Sequence, residues 1–448
     1  MISRDKKFQL SGLILVLVVL WSGFPVSNAE ALPPVKRSVL PNGLVLLVSE
    51  ERSLPFVTLQ LLIDSGARMD PAGKEGLSHL TARGLLLGTS KQTATAIQEE
   101  LDFMGASLHA SAGRDYVTLS LRTLKKDFDR GLDLMMDSLT QPVFPEDEIR
   151  RETEKILAAI QSSEDDPDTV ADRAFRKALF LSGAYAHPVE GTRESVTGLA
   201  RKAIAEFYHT YYRPNSAILT VVGDISAEEV ASGLLPRLEK WERKEIPKSP
   251  VSPVFLREKK TIKIDRALTQ ANLIIGHAGV SRDNPDFYAI NIMNYILGGG
   301  GFASRLMEEV RNKRGLAYSV GSFFDAGKHP GPFEIFLQTK NTSAREAITV
   351  SLKEMERIQM EFVSDKELEG AKKYLIGSFP MRFDTQGKLA NFLTQIEYYG
   401  LGLDYPEKYP SLIKSVTKED VQRVAKAYLH PDNYVLVIVA NLKETGIE

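Results

Sequence analysis

Hydrophobic and polar residues alternate along this chain with two different periods, and stretches of the same period are grouped together. A period of two between turn residues predicts strands at residues 37–49, 55–65, 106–122, 259–265, 270–278, 316–325 and 332–339. Apolar residues three and four positions apart predict helices around residue 79, at 92–104, 125–139, 146–181, 284–297 and 302–313, and after the last strand out to about 401. Strands clustered apart from helices predict an α+β fold with mainly antiparallel sheets packed with helices.

A repeated segment indicates that the chain is an internal duplication. Residues 211–222, YYRPNSAILTVV, align without gaps with residues 428–439, YLHPDNYVLVIV. Each follows a helical pattern and enters a strand rich in β-branched residues after a turn with Pro and Asn. The repeat predicts two domains of similar plan, at 35–243 and 259–448, and the stretch at 244–258, rich in proline and charge, is the predicted linker.

Composition narrows the classes of partner. Hydrophobic residues make up 43% of the chain and charged residues 25%, which is typical of a globular protein. The net charge of −2 gives no bulk attraction to nucleic acid or to anionic lipid, so we expect no nucleic-acid partner. The chain has no cysteine, which excludes disulfides, thiolate metal sites and a lipid-carrying cysteine.

The N-terminus has the layout of a secretory signal. A basic start precedes an apolar run from about Leu10 to Phe24, and the small residues Ala29 and Ala31 follow. We predict a signal peptide over residues 1–29 and a periplasmic or secreted product. The alternative is an uncleaved membrane anchor, although the run is short for a span; after cleavage we expect no stable membrane span.

Six stretches together carry a family resemblance over nearly the whole mature chain. They are LPNGLVLLVSE, DSGARMDPAGKEGLSHL, HPVEGTRESV, YYRPNSAILTVVGDIS, ILGGGGFASRL and EEVRNKRGLAYSV. On these stretches the chain resembles the insulinase or pitrilysin family of zinc peptidases, in the short bacterial two-domain form. That form is also similar to the subunits of the mitochondrial processing peptidase. The resemblance implies two homologous domains, each a mainly antiparallel sheet packed with helices.

The catalytic signature of that family is degenerate in this chain. The signature is an inverted zinc motif, H-x-x-E-H, completed by a Glu on a later helix. On this motif His79 fills the first ligand position, Ala82 the general base and Arg83 the second ligand, while the later glutamates fall on Ala158 and Ala159. Zinc needs about three protein ligands, and arginine adds a fixed positive charge where the cation should bind. We therefore expect this chain to bind no zinc by itself.

Other residues do not rebuild a catalytic site. Glu154 is a possible rescue ligand, but it lies one helical turn before Ala158, a displacement of roughly 6 Å along the axis. The remaining histidines are scattered, and the chain has neither a cysteine nor a G-x-S-x-G nucleophile elbow. His79 is then expected to be an ordinary histidine on a helix face.

The resemblance implies a second set of residues in the other half of the chain. In that family an Arg and a Tyr seven residues apart reach from the C-terminal domain to the facing zinc site, where they hold substrate and the developing oxyanion. Arg311 and Tyr318 match in type and spacing within RLMEEVRNKRGLAYSV. A guanidinium and a phenol are donors suited to a polarised carbonyl. The alternative is a surface arginine and a half-buried tyrosine without such a role.

The run of four glycines at residues 298–301 is a further candidate. It lacks the form of a nucleotide-binding loop, whereas glycines remove side-chain bulk and permit positive φ. Gly299 and Gly300 are predicted to let a peptide pass close to the backbone. A mobile connection between two helices is the alternative.

The chain is thus predicted to be a non-catalytic, substrate-binding subunit of an exported heterodimeric zinc metalloendopeptidase. A partner with an intact H-x-x-E-H would hold the zinc, and this chain would lend Arg311 and Tyr318 in trans. We expect the substrates to be extended peptides added to a sheet edge. Two alternatives remain: a peptide-binding or structural protein without a catalytic complex, similar to respiratory-complex core subunits, and an autonomous metallopeptidase.

Overall fold

The computed structural model describes residues 32–238, 241–247 and 253–447. The predicted signal peptide at 1–29 and part of the predicted linker lie outside the described residues. The strands, in chain order, are β1 (Val35–Val39), β2 (Val45–Glu50), β3 (Phe56–Ile63), β4 (Ser107–Ala112), β5 (Val117–Leu124), β6 (Phe180–Ser182), β7 (Ala217–Gly223), β8 (Val254–Phe255), β9 (Lys260–Asp265), β10 (Gln270–Ala278), β11 (Ala317–Phe324), β12 (Pro332–Lys340) and β13 (Val435–Ala440).

The helices fill the intervals between the strands. The α-helices, in chain order, are α1 (Leu77–Gly84), α2 (Ala94–Met104), α3 (Phe128–Thr140), α4 (Glu146–Ser163), α5 (Pro167–Leu179), α6 (Arg193–Thr197), α7 (Arg201–Tyr211), α8 (Ala227–Leu238), α9 (Phe287–Asn294), α10 (Ala344–Met360), α11 (Asp365–Gly377), α12 (Gln386–Tyr398), α13 (Tyr405–Lys414), α14 (Lys418–Tyr428) and α15 (Leu442–Thr445). Two π-helices, π1 (Tyr295–Gly299) and π2 (Met307–Asn312), lie between α9 and β11. Among the described residues, no helix combines the length and the apolar character needed to cross a membrane.

Two sheets of the same plan confirm the α+β prediction. The first has the strand order β1-β2-β7-β3-β5-β4, and the second has the order β11-β12-β10-β13-β9. In the first, β7 runs parallel to β2 and antiparallel to β3; in the second, β13 runs parallel to β9 and antiparallel to β10. The repeated segments at 211–222 and 428–439 therefore occupy equivalent places, each passing from the end of a helix into an inner strand.

Each half of the chain lends one helix to the sheet of the other half. Helix α5 packs on β10 and β13, where the buried ring of Phe175 lies so close to Gly276 that a Cβ there would come within 2.5 Å of it. Helix α12 packs on β3 and β7, where the buried Thr394 Oγ1 donates to Thr220 Oγ1 over 2.7 Å. By their contacts Pro33–Glu448 form one compact unit. The predicted boundaries at 35–243 and 259–448 stay predictions, and a cut between them would separate each helix from the sheet that it covers.

Several predicted elements differ in their course from the observed ones. The strand predicted at 37–49 is the hairpin of β1 and β2. The helix predicted at 146–181 is broken into α4 and α5, because Asp166 caps the second helix by accepting a hydrogen bond from the Thr169 N–H at 3.1 Å. The second half of the helix predicted at 302–313 is π2, a form that the 3.6-residue apolar period does not distinguish from an α-helix.

Candidate functional site

Helix α1, which carries His79, is fixed at its start by a buried carboxylate. Asp70 accepts hydrogen bonds from the Ser78 N–H at 2.7 Å and the Gly76 N–H at 2.9 Å. Burial raises the pKa of the Asp70 carboxyl to about 7, although these hydrogen bonds favour its ionised form. The helix packs on α7 and α4 and beside β4, the last strand of the first sheet. The degenerate motif therefore lies on a rigidly seated helix.

The three motif positions of α1 have different surroundings. Ala82 is fully buried in the core of the first sheet, and His79 is half-buried. Burial lowers the pKa of the His79 imidazole, and the charge of Arg83 lowers it further against the opposing effects of Glu190 and Glu152. The side chain of Arg83 is 47% exposed. The residue at the general-base position, Ala82, thus packs in the core. The residue at the second ligand position, Arg83, is a partly exposed cation.

Arg83 has a carboxylate partner on the neighbouring helix α4. Its Nε donates to Glu152 Oε1 at 2.7 Å, and the Glu152 side chain is only 4% exposed. Lys155 Nζ lies 3.3 Å from the other oxygen of that carboxylate. Burial alone would raise the pKa of the Glu152 carboxyl, but the hydrogen bonds and charges of Arg83 and Lys155 hold the pKa below its usual range. An internal ion pair therefore ties α1 to α4 across this site.

The residues at this site do not fit a zinc ion. Ala158 and Ala159 are exposed on α4 and carry no ligating atom, and Glu154 is exposed as well. Within the described ranges, no group of three or more His, Cys, Asp or Glu side chains could hold a metal. The buried carboxylate of the site is already bound to a guanidinium, whose fixed positive charge disfavours a metal cation at the same oxygen.

Glu152 is the residue of this site that sequence reasoning missed. The four-residue spacing indicated Glu154, which shares a helix face with Ala158. Glu152 and Ala159 are seven residues apart and so share a face after two turns. That face is the one that reaches Arg83. A check of the seven-residue spacing on α4 could have found Glu152.

The second candidate site lies where α9 passes through π1 into the run of glycines. A Cβ on Gly298 would come within 2.5 Å of Ser322 Oγ, and one on Gly300 within 2.7 Å of the Tyr295 carbonyl oxygen. Asn294 Nδ2 donates to the Ser322 carbonyl at 3.1 Å, and Asn294 Oδ1 accepts from Ser322 Oγ at 2.7 Å. Packing against β11 thus accounts for Gly298, and packing against Tyr295 accounts for Gly300. Gly299 is exposed, and the peptide-binding roles of Gly299 and Gly300 remain predictions.

Arg311 and Tyr318 are neighbours at this site. The guanidinium carbon of Arg311 lies 5.0 Å from the centroid of the Tyr318 ring and 4.9 Å from that of the Phe302 ring. A shift of register between Ala317 and Ser319 makes Tyr318 the irregular residue of β11, and its side chain is 74% exposed. Such an irregularity re-aims a side chain. The spacing predicted the pair, but no pattern pointed to Phe302, which is the third member of this Arg311 cluster.

The acidic neighbour of Arg311, Glu309, is paired with other basic residues and not with Arg311. Glu309 binds Lys313 at 2.7 Å and Arg314 at 2.6 Å, and Arg357 lies 3.6 Å from the same carboxylate. Hydrogen bonds from Lys313 and Arg314 lower the pKa of the Glu309 carboxyl to about 2. In the part of the chain that the structure describes, Arg311 forms no ion pair, and its recorded partners are aromatic rings. Its N–H donors are therefore available to a ligand.

The two candidate sites are separate within the chain. No hydrogen bond, ion pair or ring contact among the described residues joins His79, Arg83 or Glu152 to Arg311 or Tyr318. Arg311 and Tyr318 therefore do not complete the degenerate motif of their own chain through such a contact.

The chain is similar to known proteins over most of its length. The family model described as insulinase (peptidase family M16) matches residues 45–193, and the model described as peptidase M16 inactive domain matches residues 198–375. An uncharacterized zinc protease of Streptomyces coelicolor is 27% identical over 413 residues, covering 90% of this chain and 89% of the relative. A non-peptidase homolog of Helicobacter pylori is 25% identical over 408 residues, covering 89% and 92%. The crystal structure of a peptidase M16 inactive domain from Pseudomonas fluorescens superposes with a TM-score of 0.85 at 27% identity, covering 91% of this chain and 98% of that one.

Proposed function

This chain belongs to the insulinase family of peptidases, M16, and we propose that it serves as the non-catalytic, substrate-binding subunit of an exported heterodimeric zinc metalloendopeptidase. The partner is a family member with an intact H-x-x-E-H motif, which holds the zinc. This chain faces the partner and contributes Arg311 and Tyr318 to its active site.

One contrast carries the proposal. At the degenerate motif the Arg83 guanidinium is bound to the buried Glu152, and this ion pair supports a site that takes no metal. At the Arg311 cluster, Tyr318 is exposed and Arg311 is half-buried, and no carboxylate of the described residues neutralises Arg311. Donors without a carboxylate partner and without a reaction centre in their own chain support a role at the reaction centre of another.

The chemistry of this contribution is electrostatic. Attack on a peptide bond places negative charge on the carbonyl oxygen, and a donor preorganised toward that oxygen lowers the barrier. The Arg311 guanidinium and the Tyr318 hydroxyl each present such a donor, and a guanidinium can also bind the peptide carbonyls beside the scissile bond. Neither residue needs to gain or lose a proton in this role.

The proposed substrate is a peptide in extended conformation. Strand β4 ends the first sheet and, within the described residues, pairs only with β5, so its outer backbone groups can accept an added strand. The exposed Gly299 beside the Arg311 cluster adds a stretch of backbone without side-chain bulk. Both features support a chain that binds peptides by their main chain.

Co-expression with each H-x-x-E-H homologue of the same genome tests the subunit role. The expected result is a 1:1 complex in size measurement, with peptide cleavage by the pair that far exceeds cleavage by either chain alone. If this chain stays monomeric beside every such homologue, the proposal fails and the reading as a peptide-binding or structural protein is preferred. N-terminal sequencing of the exported protein tests cleavage after Ala29 or Ala31.

The absence of zinc from this chain is tested on the purified protein alone. We expect metal analysis to find no stoichiometric zinc and peptide assays to find no cleavage, because Ala82, Arg83 and Ala158 replace the groups that zinc and its water need. One tightly bound zinc per chain that is lost in His79→Ala would contradict the proposal and favour an autonomous metallopeptidase.

A further inference from the structure

Phe302 stands beside Arg311 in a place that core packing does not explain. Its ring is 71% exposed, yet it lies 4.9 Å from the guanidinium carbon of Arg311, as close as the Tyr318 ring. We infer that Phe302 is a positioning residue: with the Tyr318 ring it orients the Arg311 guanidinium toward the peptide substrate. The inference rests on the proposed role of Arg311 and adds a residue and a mechanism to it.

The backbone around Phe302 is fixed, so the place of its ring is not accidental. Gly301 has a φ of +54°, which favours glycine, and it starts a short 3₁₀ turn, Gly301–Ala303. The Ala303 N–H donates to the Gly300 carbonyl at 3.1 Å, and Ser304 Oγ donates to the Gly301 carbonyl at 2.7 Å. On the other side Gly298 is pressed against β11. The glycine run therefore carries the ring to the Arg311 cluster on a rigid turn.

Aromatic contacts suit an arginine that must keep its donors free. A carboxylate partner would orient a guanidinium as well, but it would occupy the N–H groups that substrate needs. A ring attracts the cation through its π-face and leaves those groups available. The neighbouring carboxylate of Glu309 is already bound by Lys313 and Arg314. Arg311 is thus oriented by rings and remains open to a carbonyl.

The chain offers a matched control in its first half. Phe103 is 83% exposed, and its ring centroid lies 5.9 Å from the guanidinium carbon of Arg130. Arg130, however, is bound to the Glu100 carboxylate. Phe103 is thus an exposed phenylalanine beside an arginine whose guanidinium is already held by a carboxylate. Phe103→Ala therefore serves as the control for the loss of an exposed aromatic ring.

The first experiment measures turnover by the complex with the zinc-binding partner. Phe302→Ala is expected to lower kcat about fivefold to tenfold with KM within about twofold, because the guanidinium loses orientation while peptide contacts remain. Phe302→Tyr should restore kcat, Phe302→Leu should not, and Phe103→Ala should match wild type. Wild-type kcat in Phe302→Ala, or a loss that Phe302→Tyr does not restore, would overturn the inference.

The second experiment needs no partner and no activity. In protein labelled with ¹⁵N-arginine, the Arg311 Nε–H resonance is assigned through its loss in Arg311→Lys. Ring currents should displace it in wild type, and Phe302→Ala should move it toward the position of a solvated arginine while Phe103→Ala leaves it in place. An Arg311 resonance that Phe302→Ala leaves unmoved overturns the inference.

The two levels of the proposal fail differently. If Arg311→Ala itself turns over at the wild-type rate, the proposed function of the cluster is wrong, even if the resonance of Arg311 responds to Phe302→Ala. If Arg311→Ala lowers turnover and Phe302→Ala does not, only the positioning role is wrong.

Discussion

Two arginines in the two halves of this molecule are held in opposite ways. Arg83 on α1 donates to the buried Glu152 and thereby ties two helices together. Arg311 at the end of π2 is in contact with two exposed aromatic rings and forms no ion pair in the described residues. An arginine bound to a buried carboxylate therefore has a structural role, whereas one in contact with aromatic rings keeps N–H donors for a ligand. The partner of the arginine, and not its charge, makes the difference.

The largest expected effect concerns the arginine without a carboxylate. Arg311→Ala and Tyr318→Phe should each lower turnover of the reconstituted complex by about a hundredfold, or about 3 kcal/mol, because one donor to the developing oxyanion is lost. Tyr318→Phe is the sharper change, since it removes the hydroxyl and keeps the ring that contacts Arg311. Steady-state kinetics should place most of the loss in kcat.

Arg314→Ala is the control for this prediction. Arg314 lies three residues from Arg311 but is bound to Glu309 at 2.6 Å, so its removal should leave turnover within about twofold of wild type. Complex formation and the zinc content of the partner must be equal in all variants. Wild-type turnover in both Arg311→Ala and Tyr318→Phe would reject the catalytic role of these residues and leave this subunit with a structural role.

The next largest effect is on stability and concerns Arg83, the arginine that is bound to a buried carboxylate. Arg83→Ala should lower the free energy of unfolding by about 2 kcal/mol, because the carboxylate of Glu152 is buried and keeps only Lys155, at 3.3 Å, as a partner. The value is less than for a fully buried pair, since solvent reaches Arg83. Urea unfolding of the isolated chain measures it, and the double variant with Glu152→Gln should recover part of the loss.

A surface pair on the same helix provides the comparison. Arg151 and Glu148 are 2.7 Å apart on α4, and the Arg151 side chain is 60% exposed, so Arg151→Ala should cost less than about 0.5 kcal/mol. Turnover of the complex should change in neither variant. A hundredfold loss of turnover in Arg83→Ala would erase the distinction between the two arginines.

The sequence predicted the α+β fold, which the structure confirms, and it singled out Arg311 and Tyr318, whose roles stay predictions. Periodicity and the duplicated segment predicted two sheets of one plan, since strand alternation and the helix-to-strand turn are local. Arg311 and Tyr318 lie close together because Arg311 stands at the end of π2 and only one turn separates π2 from β11. Phe302 reaches them only through the packing of Gly298 against β11, which no local pattern records.

Long-range contacts account for the other omissions. Glu152 becomes part of the site only because α4 packs beside α1. The exchange of α5 and α12 between the two sheets depends on contacts between residues far apart in the chain, such as Thr220 and Thr394. A proline-rich stretch at 244–258 suggests a simple boundary, but it cannot reveal that each half covers the sheet of the other.

The smallest predicted effect concerns Glu309, a carboxylate next to Arg311 that binds other basic residues. Glu309 neutralises Lys313 and Arg314 next to Arg311, and its pKa in the folded protein is lowered to about 2 by hydrogen bonds from those two residues. A folded pKa below the unfolded value of about 4.5 gives stability that is present above that value and lost as the pH falls toward 2. Glu309→Gln should therefore cost about 1 kcal/mol at pH 6, a discounted value because Lys313 and Arg314 are exposed.

The pH course of that difference separates it from other acid effects. The free energies of unfolding of Glu309→Gln and wild type should converge between about pH 4.5 and 2, while the other carboxylates titrate equally in both proteins. Turnover should stay within about twofold of wild type, because Arg311 is oriented by Phe302 and Tyr318 and not by Glu309. A loss of turnover as large as that of Arg311→Ala would show that the carboxylate, acting through its basic neighbours, orients Arg311. In that case both arginines of the comparison would depend on a carboxylate after all.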